Sequence, residues 1–227
     1  MHHGAMNPAP ESQIVVLLHG FAGAAILNRP LTRMLRRAGY HAVELGYDSW
    51  GTSLEHIRDR LAPRLAQLDG RGADALHLVA HSMGGLVARA LIHAERPRTL
   101  GRVVMLGTPN GGSEIADFLA GHALLRPILG RAGPALVTRR DTATDALLGQ
   151  VDYPVGIIAG DRPIMRVAAS RLVPGPSDGK VSVAATRLAE AADHVILPLP
   201  HSMLPYHASA HRQICHFLAH GRFEHSR

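Results

Sequence analysis

Only one cysteine, Cys215, occurs among the 227 residues, so no internal disulfide can form and the fold must rest on its core. A chain of this size buries roughly 70% of its unfolded surface, so neither bridges nor a structural metal is required. Lysine is nearly absent. Of 24 Lys plus Arg, Lys180 is the one lysine, and the arginines are scattered rather than blocked. The formal charge of +6 therefore reads as a solvated arginine surface. Without clustered cations or an RNP, helix-turn-helix or zinc spacing, nucleic-acid binding is excluded. Apolar runs long enough to span a bilayer are missing. The stretch Met1–Glu11 has no basic region followed by an apolar one, so no signal peptide is visible and a cytoplasmic location is expected. No pair of side chains has metal-ligand spacing, and neither a metal nor a cofactor is expected. Internal repeats and low-complexity segments are also lacking.

What is present alternates. Ile14 to Leu18 is a continuous, partly β-branched apolar run, as in a strand buried on both faces. Similar runs at 41–45, 75–80, 102–106, 155–159 and 194–199 predict five more strands. Between them lie helical patterns. Asn28 is placed to cap a helix with Leu31, Met34, Leu35 and Ala38 on one face, which Gly39 ends. Ser53 opens another through Leu54, Ile57, Leu61, Leu65 and Leu68, kinked or interrupted at Pro63. Met83 to Ala94 and Ala208 to His220 give two more. Strand and helix in turn predict one α/β domain over residues 1–227, a doubly wound, mostly parallel sheet of about six strands with right-handed crossovers.

Residues 109–150 break the rhythm with short helical patterns separated by Gly and Pro. That is too long for an ordinary loop, so the segment is expected to be a helical cap or lid. Of its apolar residues, Leu124, Leu125, Ile128 and Leu129 are candidates to line a substrate pocket.

Ala80-His81-Ser82-Met83-Gly84-Gly85 lies where a buried strand must turn sharply into a helix. Small residues there let backbones approach, and the turn lifts the Ser82 hydroxyl above the sheet. Such a serine needs a base to take its proton and a carboxylate to orient that base. His201 sits just past the last strand, with His207 as the alternative. For the acid there are two candidates, Asp178 in Ser177-Asp178-Gly179-Lys180-Val181-Ser182 and Asp161, which follows the fifth strand directly.

On these residues the chain resembles the α/β-hydrolases, and within them the bacterial lipases and esterases. His19-Gly20-Phe21 is similar to their oxyanion turn, Ala80-His81-Ser82-Met83-Gly84 to their nucleophile elbow, and Gly107-Thr108-Pro109-Asn110-Gly111-Gly112-Ser113 to their GTPHxGS segment. Ala80 replaces the usual glycine and Asn110 the usual histidine. The resemblance implies a Ser82–His201–Asp178 triad with the backbone N–H groups of Phe21 and Met83 as oxyanion donors. It also implies hydrolysis of a small-molecule or lipid ester through an acyl-enzyme. A thioesterase, amidase or acyltransferase would share the triad. A non-catalytic binding protein would lack a member of it, and none is missing. A dehalogenase would carry aspartate where Ser82 stands.

Overall fold

In the computed structural model, which describes residues 13–164 and 172–225, all six strands pair in parallel. They are β1 (Gln13–Leu18), β2 (His41–Glu44), β3 (Ala75–His81), β4 (Leu100–Leu106), β5 (Val155–Gly160) and β6 (Asp193–Leu197). Their spatial order is β2-β1-β3-β4-β5-β6. The order reverses at β1: the chain leaves outward to β2 and returns on the other side as β3. Loops after β1 and β3 thus diverge and leave a crevice at the carboxyl ends, where such sheets place ligands. The N-terminal stretch read above for a leader lies outside the described residues.

Successive strand residues point to opposite faces, and both faces are covered. Ile14, Val16, Leu18, Leu76 and Leu78 meet α2 (Leu54–Asp69) and α3 (Met83–Ala94) through residues such as Ile57, Leu61, Leu86 and Val87. Val15, Leu17, Val79 and Val104 meet α1 (Arg29–Arg37) and α8 (Ala208–His220) through Leu31, Leu35, Ile214 and Phe217. Each such Val or Leu, fully buried, contributes about 1.5–3 kcal/mol relative to exposure. Burial on both sides is why the strands read as unbroken apolar runs. Cys215 lies in the second layer, its Sγ 3.2 Å from Met34 Sδ, and burial pushes its thiol up to about 11.

One local expectation is corrected and one is narrowed. Asn28 makes no side-chain cap, because a 3₁₀ turn over Ala25–Asn28 runs directly into α1 and holds Asn28 in helical backbone already. Pro63 does not interrupt α2, which is continuous over Leu54–Asp69. The proline is solvent-exposed, so the carbonyl it leaves unpaired can turn to water. Between β4 and β5 come α4 (Glu114–Gly121), a 3₁₀ turn (Arg126–Leu129), α5 (Gly133–Leu136) and α6 (Thr142–Leu148). The short α7 (Val183–Thr186) precedes β6.

One buried histidine makes the fold acid-sensitive. The Arg102 N–H donates to His77 Nδ1 at 2.8 Å, and His77 Nε2 donates to Gln13 Oε1 at 3.1 Å. The ring is thereby fixed neutral. Burial, helped by the Arg102 charge, lowers its pKa to about 4, against roughly 6.5 unfolded. Between those values the unfolded chain binds a proton that the folded chain refuses, so stability falls as pH drops through that window. The thermal unfolding midpoint is expected to be lower at about pH 5 than at 7.5, and the drop smaller in His77→Asn. A drop of equal size in the variant would contradict this assignment.

Candidate functional site

Strand β3 ends at His81 and α3 begins at Met83, so the chain must reverse through Ser82 alone. It does so with φ 54° and ψ −126°, left-handed backbone that costs a non-glycine residue on the order of 1–3 kcal/mol. The neighbours must be small. A Cβ on Gly84 would stand 2.6 Å from the Leu18 carbonyl oxygen, and one on Gly85 2.1 Å from Thr108 Oγ1. Across the crevice, a Cβ on Gly20 would come within 3.0 Å of Ser82 Cβ.

His201 opens a 3₁₀ turn (His201–Met203) just beyond β6. Its Nε2 is 2.9 Å from Ser82 Oγ and its Nδ1 2.7 Å from Asp178 Oδ2. A carboxylate can only accept, so Nδ1–H donates to Asp178 and Nε2 offers its lone pair to the Ser82 hydroxyl. Asp178 is 2% exposed. The backbone N–H groups of Lys180 and Val181 both donate to its Oδ1 at 2.9 Å, and the His201 N–H donates to its carbonyl at 3.0 Å. The turn carrying Asp178 is closed by a bridge between Ser177 and Ser182 and bends at Gly179, φ 96°. Ser113 Oγ pins the same turn from the β4–β5 segment by donating to the Lys180 carbonyl at 2.8 Å.

The other candidates lie elsewhere in the network. Asp161 Oδ1 sits 3.5 Å from Arg162 Nε, while His201 faces Asp178. The His207 side chain caps α8 by accepting from the Ser209 N–H. Asn110, in the position where histidine is usual, is structural: its Nδ2 donates to the Thr186 carbonyl at 2.8 Å.

Three residues that the sequence shows only as members of motifs support the site. His81 Nε2 donates to the His201 carbonyl at 3.1 Å, and burial, followed by the neighbouring His201, holds its pKa well below the ordinary value. It is therefore a neutral strut. His19 stacks on Tyr47 at 4.1 Å, donates through Nδ1 to the Gly20 carbonyl, and receives the Tyr47 hydroxyl on its own carbonyl. Burial lowers the His19 pKa as well. Gly107, φ 56°, leaves room where a Cβ would lie 3.0 Å from Asp178 Oδ2 and 3.1 Å from His201 Nδ1. Its membership in the Gly-Thr-Pro motif was the available signal.

Ser82 and His201 open into a cleft of about 510 Å³. Ile128 and Leu129 line it; Leu124 and Leu125 do not. Leu124 is 93% exposed. The helical spacing that grouped these four does not apply, because only 126–129 is helical and as a single 3₁₀ turn. The apolar wall comes instead from Ile115, Ala116, Leu119 and Leu136 alongside Ile128 and Leu129. Phe21 lines the cleft too, whereas the Met83 side chain is fully buried. Met83 N–H is at the first position of α3, among the donors a helix leaves without an internal acceptor. Among the described residues there is no cluster suited to a metal ion and no helix long and apolar enough to cross a membrane.

A doubly wound parallel sheet with a serine on the turn after its third strand and a histidine after its last defines a class of α/β protein. The sequence pattern of the alpha/beta hydrolase family matches residues 15–221, and the chain belongs to that family. Over 52 residues, 23% of its length, it is 42% identical to triacylglycerol lipases of Pseudarthrobacter phenanthrenivorans and Burkholderia plantarii. That segment spans 16% and 14% of those lipases. Among solved structures, the mature form of a Bacillus licheniformis lipase superposes with TM-score 0.76 at 21% identity, covering 94% of this chain and 93% of that one. A monoacylglycerol lipase of Paleococcus ferrophilus gives 0.61 at 15% identity, covering 94% and 96%.

Proposed function

We propose that this chain hydrolyses carboxylic esters through Ser82, His201 and Asp178. The observation that carries the reading is the unbroken hydrogen-bonded series from buried carboxylate to imidazole to a strained serine hydroxyl at the floor of an apolar cleft. His201 Nε2 takes the Ser82 proton as Oγ attacks the ester carbonyl, and Asp178 stabilises the imidazolium while holding its tautomer. The proton then passes to the departing alcohol, leaving an acyl-serine. Water, deprotonated by the same imidazole, releases the acid and restores Ser82. The backbone N–H groups of Phe21 and Met83 face the developing oxyanion, and one such donor is worth about 3 kcal/mol.

Residues 109–150 serve as the cap, supplying the wall that holds the acyl chain. Several exposed apolar residues favour esters presented at a lipid surface. Ile26 follows β1, Trp50 follows β2, Leu124 and Ile128 follow β4, Ile164 follows β5 and Met203 follows β6. In a parallel sheet these connections leave from one end, the end that carries Ser82. Phe118 also lies in a connection, after β4, while exposed Ile196 lies within β6; the residues in the connections together favour a contact surface.

The test is a series of p-nitrophenyl esters from short to long acyl chains, run beside emulsified triacylglycerol and matched thioesters. Hydrolysis of esters is expected. Leu124→Ser with Ile164→Ser should depress the emulsion rate more than the rate on dissolved short esters. A folded protein that cleaves no ester in the series would refute the reading.

A further inference from the structure

The loop after β2 reaches out in two directions. Tyr47 stacks on His19 beside the oxyanion turn. Further along, Trp50, the single tryptophan of the chain, meets the segment between β4 and β5. Its indole Nε1–H donates to the Ile128 carbonyl at 3.0 Å, and its own carbonyl accepts from the Arg131 N–H at 2.8 Å. Gly130 lies against it between these two bonds. Its φ is 56°, and a Cβ there would stand 2.1 Å from the Trp50 carbonyl oxygen. Among the described residues, two hydrogen bonds join 122–133 to residues outside the β4–β5 segment, and both go to Trp50.

Trp50 stands on a fixed base. The Asp48 carboxylate accepts from the Trp50 N–H at 3.0 Å and from the Gly51 N–H at 2.8 Å. Ser49 is buried, and the Tyr47 hydroxyl donates to the His19 carbonyl. The 3₁₀ turn Arg126–Leu129 is therefore held from outside by a loop that is itself anchored to the oxyanion turn.

Trp50 does not line the cleft, whereas Ile128 and Leu129 do. Leu129 is buried in the core, but Ile128 is 52% exposed, so it forms the open rim of the apolar wall while Ser82 lies at the floor. An acetyl group on Ser82 ends short of such a rim. A long acyl chain runs along it and gains from every apolar contact that the rim keeps in place.

We infer that Trp50 is a positioning residue for acyl-chain specificity: from outside the cleft it clamps the Ile128 backbone and so extends the apolar wall for long acyl chains. This inference rests on the ester-hydrolase reading and names the residue that sets the acyl preference of that site.

The test compares p-nitrophenyl acetate with p-nitrophenyl laurate in the wild type and two variants. Trp50→Phe keeps an exposed ring without an N–H; Gly130→Ala leaves the indole intact and drives the two backbones apart. The laurate-over-acetate ratio of kcat/KM is expected to fall about tenfold in each, the low end for a lost pocket contact, and to do so through KM for laurate. The double variant should lose little more, because both substitutions break one clasp. A ratio within about twofold of wild type in both folded variants, well below the discrimination a pocket contact gives, would overturn the proposal. Equal losses on the two esters, the mark of general damage, would do so too.

A lone tryptophan gives a lone indole N–H resonance, which reads the clasp directly. Its exchange with solvent should be slowed in the wild type and faster in Gly130→Ala, where Trp50 is unchanged. Exchange at the unfolded rate in the wild type would refute the clasp. Calorimetry of methyl laurate in neutral detergent, on Ser82→Ala, reads the wall without turnover. Weaker binding on adding Gly130→Ala supports the role of Trp50, and equal binding refutes it. If the wild type cleaves no ester and the binding difference persists, the catalytic reading fails and the clamp stands.

Discussion

Ser82→Ala should reduce kcat for ester hydrolysis on the order of 10⁴–10⁶-fold while the protein stays folded. The hydroxyl makes one hydrogen bond, to His201 Nε2, and its removal leaves the elbow backbone as it was. The strained φ of 54° is set by the turn between β3 and α3, not by the Oγ atom. What survives in the variant is catalysis from backbone oxyanion donors and binding. His201→Ala should lose a similar factor, and the double variant little more, because members of one proton-transfer unit do not add. The measurement is steady-state hydrolysis of a p-nitrophenyl ester alongside thermal unfolding of each variant. Activity within about tenfold of wild type in folded Ser82→Ala would place the chemistry elsewhere, given the size of loss expected for a nucleophile.

The second large effect separates two carboxylates. Asp178→Asn should lower kcat by around 10⁴, since an amide facing His201 Nδ1 stabilises the wrong tautomer. Asp161→Asn should change it little. Asp178 Oδ2 lies 2.7 Å from the imidazole and Asp178 Oδ1 holds two backbone N–H groups. The nearest charged partner recorded for Asp161 is Arg162, on its own loop. An asparagine at 178 can keep both backbone bonds through its carbonyl oxygen, so the unfolding midpoint should move far less than the rate. The reverse ranking of the two variants would move the acid to the β5 loop.

The strands were legible because both sheet faces are buried, so each is an unbroken apolar run, and their ends shift by at most a few residues. The elbow was legible because a serine lifted above a sheet demands small neighbours, and Gly84 and Gly85 are where a Cβ would strike backbone or Thr108. Choosing Asp178 over Asp161 rested on a loop pattern; spacing alone left both open, because either follows β5. The errors share a cause. Asn28, Leu124 and Leu125 were judged by helical position, but a 3₁₀ turn precedes α1 and another replaces the expected helix around 124–129, changing which way each side chain points. His81 and His19 stand inside motifs whose pattern says nothing of their own bonds. The bond of His81 to the His201 carbonyl and the stacking and hydrogen bonding of His19 with Tyr47 join loops far apart in sequence, and no local pattern announces them.

Cys215 gives the molecule a practical property. Its sulfur is packed between α8 and Met34, and with the thiol held up to about 11 hardly any thiolate exists at neutral pH. The native chain is thus nearly silent to maleimides and other alkylating reagents under non-denaturing conditions. A cysteine introduced at the solvent-facing Leu124 would react alone, without first deleting the natural one. A fluorophore or nitroxide attached there would sit four residues from the cleft-lining Ile128, and its emission or mobility would report the environment of the segment between β4 and β5 as detergent or lipid is added.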